Sequence, residues 1–298
     1  MDLDIKYIQI SIFLLKKIIG TTFPNPPVVC LIVEFNQNQT KSKIISFGFT
    51  GVGGRPHAEA NALREIKFKK NFNYTLYSTL EPCSHFGRDE SCVSKILKSK
   101  INRVVFSLKD PDRRVNGSGK MLLKKNGLEV LGGIMSDKTK VIYDGYITNR
   151  RLYRPKVTLK IGCSLDSKIA SEKNKTDKIT NGLVKKIVHI YRSEADAILV
   201  GNNTVNVDNP QLNCRIKGLK DFSPIRVILS KKLSFNLNSK ILKNCMSNPT
   251  YIFTLKTKSQ KINKITDKHA KIILLDRNKF KLSYIVRELA KLGVCNLL

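Results

Sequence analysis

The chain has 298 residues, room for about two domains, and its 41% hydrophobic and 26% charged residues are ordinary for a globular protein. This composition excludes a disordered chain, a collagen and a disulfide-rich miniprotein. No window holds the roughly eighteen apolar residues of a membrane helix, and the start of the chain lacks the basic residues and cleavage site of a signal peptide. We therefore expect a cytoplasmic protein without a membrane partner.

The formal net charge of +31 is the unusual feature of the composition. A nucleic-acid partner is one explanation, and a general enrichment in lysine, asparagine and isoleucine is the other. The lysines recur through both halves of the chain, and tryptophan, which stacks on bases, is absent. These observations favour the compositional explanation. A basic surface would still attract a phosphorylated small-molecule substrate.

The first half of the chain alternates predicted helices and strands. In chain order we predict a helix at 5–19, strands at 28–35 and 43–49, a helix at 58–70, a strand at 75–79, a helix at 92–98, a strand at 103–107 and a helix ending near 127. Prolines at 24, 26 and 27 stiffen the loop before the first strand.

The polar, basic, proline-ended stretch 149–155 marks a predicted domain boundary, which gives domains 1–149 and 150–298. In the second half we predict strands at 157–163, 197–201, 225–229, 251–254, 272–275 and 294–298, with helices at 182–192 and 282–292. Strands that alternate with helices indicate an α/β fold in both domains.

A group of metal-binding side chains lies in the first half. His57 directly precedes a predicted helix, Cys83 lies in a polar loop, and Cys92 opens the next predicted helix. One neutral imidazole and two thiolates balance the charge of Zn²⁺, and a three-ligand zinc keeps its fourth position for water. Seven scattered cysteines in a reducing compartment also favour metal binding by a subset of them. The sequence therefore predicts a catalytic zinc site.

Glu59 follows His57 by two residues, so it can face a zinc-activated water without being a ligand. A carboxylate there can take the proton of the water and return it to a leaving nitrogen, as general acid–base catalysis requires. His-x-Glu followed by Pro-Cys and a second cysteine is the signature of zinc deaminases, although eight residues separate the cysteines here rather than two. A purely structural zinc would need a fourth ligand and would leave Glu59 idle.

Longer segments of the chain resemble one family. They are PNPPVVC at 24–30, PHAEANAL at 56–63, TLEPCSHFGRDESC at 79–92, DPDRRVNGSG at 110–119, LKIGCSLDSKIA at 159–170 and DAILVGNNTVNVDNPQLNCR at 196–215. They resemble the bifunctional pyrimidine deaminase/reductase family of riboflavin biosynthesis, in which the long cysteine spacing is the rule. The resemblance covers nearly the whole chain. It implies a cytidine-deaminase-like zinc domain followed by a dihydrofolate-reductase-like domain.

The resemblance also implies two reactions and their site residues. An amino group is hydrolysed from the ring of a phosphoribosylamino-diaminopyrimidinone, and the ribosyl chain of the product is then reduced with NADPH. Contacts with the deaminase substrate are implied for Asn25, His85 and Arg88, with Arg88 near the phosphate. Contacts with NADPH are implied for Gly162, Lys178, Thr204, Asp208 and Ser230, and contacts with the reductase substrate for Thr176, Arg192, Leu212 and Arg215.

The chain departs from the family pattern at Val29, Thr50, Lys178 and Leu229, where the family usually has glycine, histidine, an aromatic residue and aspartate. The family also continues with a glutamate and a glycine-rich segment after the stretch that ends at Leu298, so we expect an incomplete reductase domain. Three functions stay open: a bifunctional enzyme completed by a separate chain, a deaminase with a reductase remnant, and a nucleic-acid deaminase or binder. We expect a homo-oligomer.

Overall fold

The computed structural model describes residues 2–85, 87, 89–172, 175, 177, 179–257 and 259–298. The chain divides into two compact units, Met1–Leu152 and Tyr153–Leu298. The predicted boundary between residues 149 and 150 lies three residues before this division. Every helix in the described residues is too short or too polar to cross a bilayer.

The first unit has one mixed sheet with helices around it. Its strands are β1 (Val29–Asn36), β2 (Ser42–Phe49), β3 (Phe72–Leu80), β4 (Arg103–Leu108) and β5 (Glu129–Gly132). Its helices are α1 (Asp2–Leu15), α2 (Ala58–Leu63), α3 (Cys92–Leu97), α4 (Ser118–Lys125), α5 (Ser136–Ile142) and α6 (Asp144–Leu152). The strand order is β2-β1-β3-β4-β5. Strand β1 pairs antiparallel with β2 and β3, whereas β3, β4 and β5 run parallel.

The helix predicted at 58–70 is too long, because α2 ends at Leu63. The following residues pack against the start of β3 instead: the ring of Phe68 meets that of Tyr74 edge to face at 4.8 Å, and Lys69 N donates to the Tyr74 hydroxyl at 2.7 Å. These tertiary contacts override the helical spacing of the apolar residues. The first helix also differs from its prediction at 5–19, since α1 begins at Asp2 and ends at Leu15.

The second unit has a sheet of parallel strands. They are β6 (Lys156–Val157), β7 (Ala197–Gly201), β8 (Ile225–Leu229), β9 (Thr250–Leu255), β10 (Lys271–Leu275) and β11 (Asn296–Leu297), in the order β10-β9-β8-β7-β11-β6. Its helices are α7 (Gly182–Glu194), α8 (Asn202–Asp208), α9 (Lys240–Lys243), α10 (Lys261–Thr266) and α11 (Leu282–Lys291). The strand predicted at 157–163 is shorter in the structure, because β6 pairs with β11 only at Lys156 and Val157.

The carboxylate of Asp196 anchors the strand β11. Asp196 precedes β7, and its Oδ2 accepts hydrogen bonds from Cys295 N at 2.8 Å and Asn296 N at 2.7 Å. On one face of the sheet, Ile228 and Ile252 pack against Ile241 and Ile265 from α9 and α10. Alternate apolar residues of the parallel strands are thus covered by helices, as a parallel sheet requires.

Candidate functional site

The three predicted metal ligands meet at one point of the first unit. His57 is the residue before α2, Cys83 lies in the loop after β3, and Cys92 is the first residue of α3. His57 Nδ1 lies 3.3 Å from Cys92 Sγ and 3.6 Å from Cys83 Sγ, and the three donor atoms all lie within 4.8 Å of one another. One nitrogen and two sulfurs at this spacing fit a tetrahedral zinc ion.

Local backbone structure brings the two cysteines together. Ser91 caps α3, because its side chain accepts a hydrogen bond from Ser94 N. Cys92 N then points to Cys83 Sγ at 3.4 Å, and Val93 N donates to Cys83 O at 3.1 Å. Both N–H groups belong to the first turn of α3, where the partial positive charge favours a thiolate.

The electrostatics of the cluster suit metal binding and proton transfer. The hydrogen bonds that Cys83 Sγ receives from Cys92 and His57 lower the pKa of the Cys83 thiol to about 4, and the hydrogen bond with Cys83 raises the pKa of His57. Glu59 on α2 is 4% exposed, and its Oε2 lies 3.3 Å from Cys92 Sγ. Burial, together with the nearby Cys83 charge, raises the pKa of Glu59. A raised pKa makes a carboxylate a stronger base, which suits a group that takes a proton from water.

A cavity of about 430 Å³ opens over Glu59 and the metal cluster. Two of the predicted substrate contacts, Asn25 and His85, line it. Asn25 Nδ2 donates to Gly54 O at 2.8 Å, which fixes the amide against the glycine loop before His57. His85 Nδ1 is buried and has no hydrogen-bond partner within the described residues. The third predicted contact, Arg88, lies outside the described residues.

Part of the cavity wall comes from residues to which the sequence analysis gave no role. They are Asp110, Asp112, Arg114, Tyr146 and Arg150. The Tyr146 hydroxyl donates to Asp110 Oδ1 at 3.0 Å, and Asp112 Oδ2 accepts from Arg114 Nη2 at 2.7 Å and lies 3.1 Å from Arg150 Nε. Three of these residues lie in or beside the segment DPDRRVNGSG, whose charged residues between proline and glycines were the available signal.

The two positions at which the first unit departs from the family pattern, Val29 and Thr50, have different surroundings. Val29 is fully buried in β1. Thr50 lines the cavity, but its hydroxyl is engaged with the proline-rich loop: Oγ1 accepts from Val28 N at 2.9 Å and donates to Pro26 O at 3.2 Å. Thr50 therefore braces the loop that carries Asn25.

In the second unit, a cavity of about 840 Å³ is lined by three of the residues predicted to contact NADPH, namely Gly162, Thr204 and Asp208. The fourth, Ser230, is 1% exposed at the end of β8, where its hydroxyl donates to Asn202 Oδ1 at 2.7 Å. Lys178 and Thr176 lie outside the described residues.

Of the residues predicted to contact the reductase substrate, the structure describes Arg192, Leu212 and Arg215, and these three do not line this cavity. Leu212 is 4% exposed and packs in the hydrophobic core. Arg192 Nη1 donates to Asn213 O at 3.2 Å, and Arg215 Nη1 donates to Asn213 Oδ1 at 3.1 Å. The structure thus brings the two arginines to one loop and directs Leu212 into the core.

Comparison with known proteins places both units in one family. The model of the cytidine and deoxycytidylate deaminase zinc-binding region matches residues 1–108, and that of the RibD C-terminal domain matches residues 155–298. These matches confirm the predicted fold class and the zinc and NADPH cofactors. The assignment of individual ligands and contacts stays a prediction.

Three relatives align over nearly the whole chain. The riboflavin biosynthesis protein RibD of Aquifex aeolicus is 35% identical over 297 residues, which are 100% of this chain and 80% of that protein. The structure of Acinetobacter baumannii RibD, form 1, has a TM-score of 0.86 and 29% identity, and covers 99% of this chain and 79% of that one. A diaminohydroxyphosphoribosylaminopyrimidine deaminase/5-amino-6-(5-phosphoribosylamino)uracil reductase from Thermotoga maritima has a TM-score of 0.82 and 30% identity, with coverage of 100% and 80%. The chain therefore belongs to the RibD family of riboflavin biosynthesis proteins.

Proposed function

We propose that the first unit hydrolyses the ring amino group of a phosphoribosylamino-diaminopyrimidinone in riboflavin biosynthesis. The observation that carries this function is the convergence of His57, Cys83 and Cys92 beside the buried carboxyl of Glu59, at one cavity. Membership of the RibD family supports the choice of substrate, because the Thermotoga maritima relative is named for this deamination.

The residues of the cluster have two roles, metal binding and proton transfer. His57, Cys83 and Cys92 would hold the zinc ion, which when bound supplies the Lewis acidity that makes water a nucleophile near neutral pH. Glu59 takes a proton from the water as the oxygen–carbon bond forms on the ring. It then delivers a proton to the amino nitrogen as the carbon–nitrogen bond breaks. The products are the ring carbonyl and ammonia.

The cavity walls orient the substrate in this proposal. Asn25 is held by Gly54 O, so its remaining polar atoms can meet the pyrimidine without losing their position. The imidazole of His85 offers a buried Nδ1 to the same space. Arg88 would meet the phosphate, as the resemblance implies, and a guanidinium suits a phosphate because it can donate two parallel hydrogen bonds.

The second unit carries the reduction of the ribosyl chain with NADPH. The match to the RibD C-terminal domain supports this activity. Thr204 and Asp208 belong to α8, which follows β7 directly, and ligands of parallel α/β sheets bind beyond the carboxyl ends of the strands. The cavity lined by these residues is therefore the proposed site of NADPH.

A product assay tests both activities. The zinc-loaded protein is incubated with the phosphoribosylamino-diaminopyrimidinone, with and without NADPH, and the products are identified by mass spectrometry. We expect a deaminated product without NADPH and a deaminated, reduced product with it. A deaminated product with NADPH left unchanged would mean that the deaminase acts alone, and recovery of intact substrate would overturn the whole proposal.

We also propose that the protein is a cytoplasmic homo-oligomer. Helix α7 exposes Leu183, Ile187 and Ile190, an apolar side that a second copy would cover. All seven cysteines are free, as in a reducing compartment. Light scattering of the purified protein tests the first point, since a monomeric mass contradicts it. Fractionation of cells tests the second, since recovery outside the cytoplasm contradicts it.

A further inference from the structure

Glu81 is a buried acid that the proposed deaminase chemistry leaves without a role. It directly follows β3, is 2% exposed, and lies two residues before the metal ligand Cys83. Both of its carboxylate oxygens accept hydrogen bonds from the backbone of one segment. Oε2 accepts from Asp110 N at 3.2 Å and Gly117 N at 3.0 Å, and Oε1 accepts from Lys120 N at 3.0 Å.

These hydrogen bonds are the first of a series in which successive carboxylates hold the backbone of the cavity wall. Asp110, held by Glu81 through its N–H, accepts from Asp112 N at 2.8 Å, and Asp112 accepts from Arg114 N at 3.0 Å. The backbone of the segment 110–117 is therefore fixed step by step from Glu81. The side chains of Asp110, Asp112 and Arg114, which line the cavity, inherit their positions from it.

The end of the segment also depends on Glu81. Gly117 precedes α4 with a φ of 96° and offers no side chain to cap the helix. The free N–H groups of a first helical turn need an acceptor, and Glu81 supplies one from another element. Gly119 makes the approach possible, because a Cβ at this position would meet Pro82 O at 2.2 Å.

We propose that Glu81 is a positioning residue of the deaminase: it couples the loop of Cys83 to the wall 110–117 and holds that wall in its substrate-binding form. This inference rests on the proposed deaminase function. Glu81 borders the cavity, but this proposal gives it no substrate contact, because its carboxylate is held by the backbone N–H groups of Asp110, Gly117 and Lys120. Its loss should therefore weaken substrate binding more than the chemical step.

The substitution Glu81→Gln tests the proposal in the zinc-loaded, full-length protein. It keeps the size of the side chain but turns one acceptor into a donor that faces a backbone N–H. We expect full zinc content, a KM for the pyrimidine raised roughly tenfold or more, and a kcat within about threefold of wild type. Glu65→Gln is the matched control, since Glu65 is exposed just after α2 and its loss should change neither constant.

Hydrogen exchange supplies a readout that does not need the reaction. In Glu81→Gln, peptides covering 110–120 should exchange faster than in wild type, while peptides covering α3 should not. A KM and an exchange rate equal to wild type would overturn the proposal, as would a fall in kcat alone. If the variant does not fold, hydrogen exchange in the wild-type protein tests the proposal instead. Rapid exchange of the amides of Asp110, Gly117 and Lys120 would overturn the proposal, because these amides would then not be held by Glu81. If the wild-type protein releases no ammonia, the deaminase function is refuted. The hydrogen-exchange comparison still tests whether Glu81 holds the segment 110–120.

Discussion

The two units hold their predicted site residues in different ways. In the first unit, His57, Cys83, Glu59, Asn25 and His85 border one cavity, and the third metal ligand, Cys92, lies within 4.8 Å of the other two. In the second unit, Thr204 and Asp208 border a cavity, whereas Leu212 is in the core and Arg215 is bonded to its own loop. The difference follows from what each prediction was based on.

The predicted zinc site was based on chemistry that fixes geometry. Three ligands of one ion must lie within a few ångströms of one another, so naming them also predicts that they meet. The predicted contacts of the second unit were based on resemblance, which assigns residues to a ligand without requiring them to touch one another. A site inferred from mutual chemistry is therefore tested more sharply by a structure.

The largest expected effect is at the metal site. Cys83→Ser should lose zinc and all deaminase activity, because a hydroxyl is a poor replacement for a thiolate ligand. The NADPH-dependent activity of the second unit, measured on pre-deaminated substrate, should remain. Zinc content by atomic absorption and ammonia release are the measurements. Cys163→Ser, at an exposed cysteine of the second unit, is the control for deamination. Full zinc occupancy in Cys83→Ser would refute the ligand assignment.

A smaller loss is expected at the proton-transfer residue. Glu59→Gln should keep zinc, because Glu59 is not among the ligands, and should lower kcat by roughly 10²–10⁴-fold. Stopped assays of ammonia release give the rate, and atomic absorption gives the metal content. Undiminished turnover would show that another group carries the proton. The exposed Glu65, changed to Gln, again serves as the control for the loss of one negative charge.

A third prediction concerns the cofactor cavity. Thr204→Val removes a hydroxyl while keeping the shape, so it should raise the KM for NADPH roughly tenfold and leave deamination unchanged. NADPH oxidation, followed by absorbance, measures the effect. Thr266→Val, at an exposed position of α10, should change neither activity. An unchanged KM for NADPH in Thr204→Val would remove this residue from the proposed contacts. Fewer of the predicted contacts of the second unit would then stand.

The sequence predicted most of the strands, because buried runs such as 28–35 are continuous and apolar. It missed β5 and the helices α5, α6, α8, α9 and α10, which are too short to show a strong apolar periodicity. It also extended α2 to 70, because helical spacing cannot reveal that Phe68 packs on Tyr74 of the following strand, β3. The local pattern of apolar residues thus predicts that a helix or strand exists, whereas contacts with neighbouring elements determine where it ends.

The candidate site shows the same limit. His57, Cys83 and Cys92 could be found because metal ligands have a distinctive composition and spacing. The role of Glu81 could not, because it comes from hydrogen bonds between segments that the sheet brings together: Glu81 N donates to Leu108 O at the ends of β3 and β4, which aligns the two segments. A residue that acts through backbone N–H groups leaves no motif of its own.

The last prediction concerns stability rather than activity, because acids of the two units respond to pH in opposite directions. In the first unit, burial raises the pKa of Asp4, but hydrogen bonds from Arg103 and Tyr77 prevail and lower it, so its contribution to stability is lost as pH falls. In the second unit, burial raises the pKa of Asp196 from 3.8 to about 6. The contribution of Asp196 is therefore fully present below pH 3.8 and is lost as pH rises through about 6.

Asp196→Asn mimics the protonated acid at every pH and tests this sign. The variant should match wild type below pH 3.8 and exceed it in free energy of unfolding by up to about 3 kcal/mol above pH 6, since one pKa unit corresponds to about 1.4 kcal/mol. Urea unfolding at several pH values measures the difference, and Asp221→Asn, at an exposed acid of the same unit, is the control. A difference that does not grow with pH would mean that the hydrogen bonds from Cys295 N and Asn296 N already offset the burial of the charge.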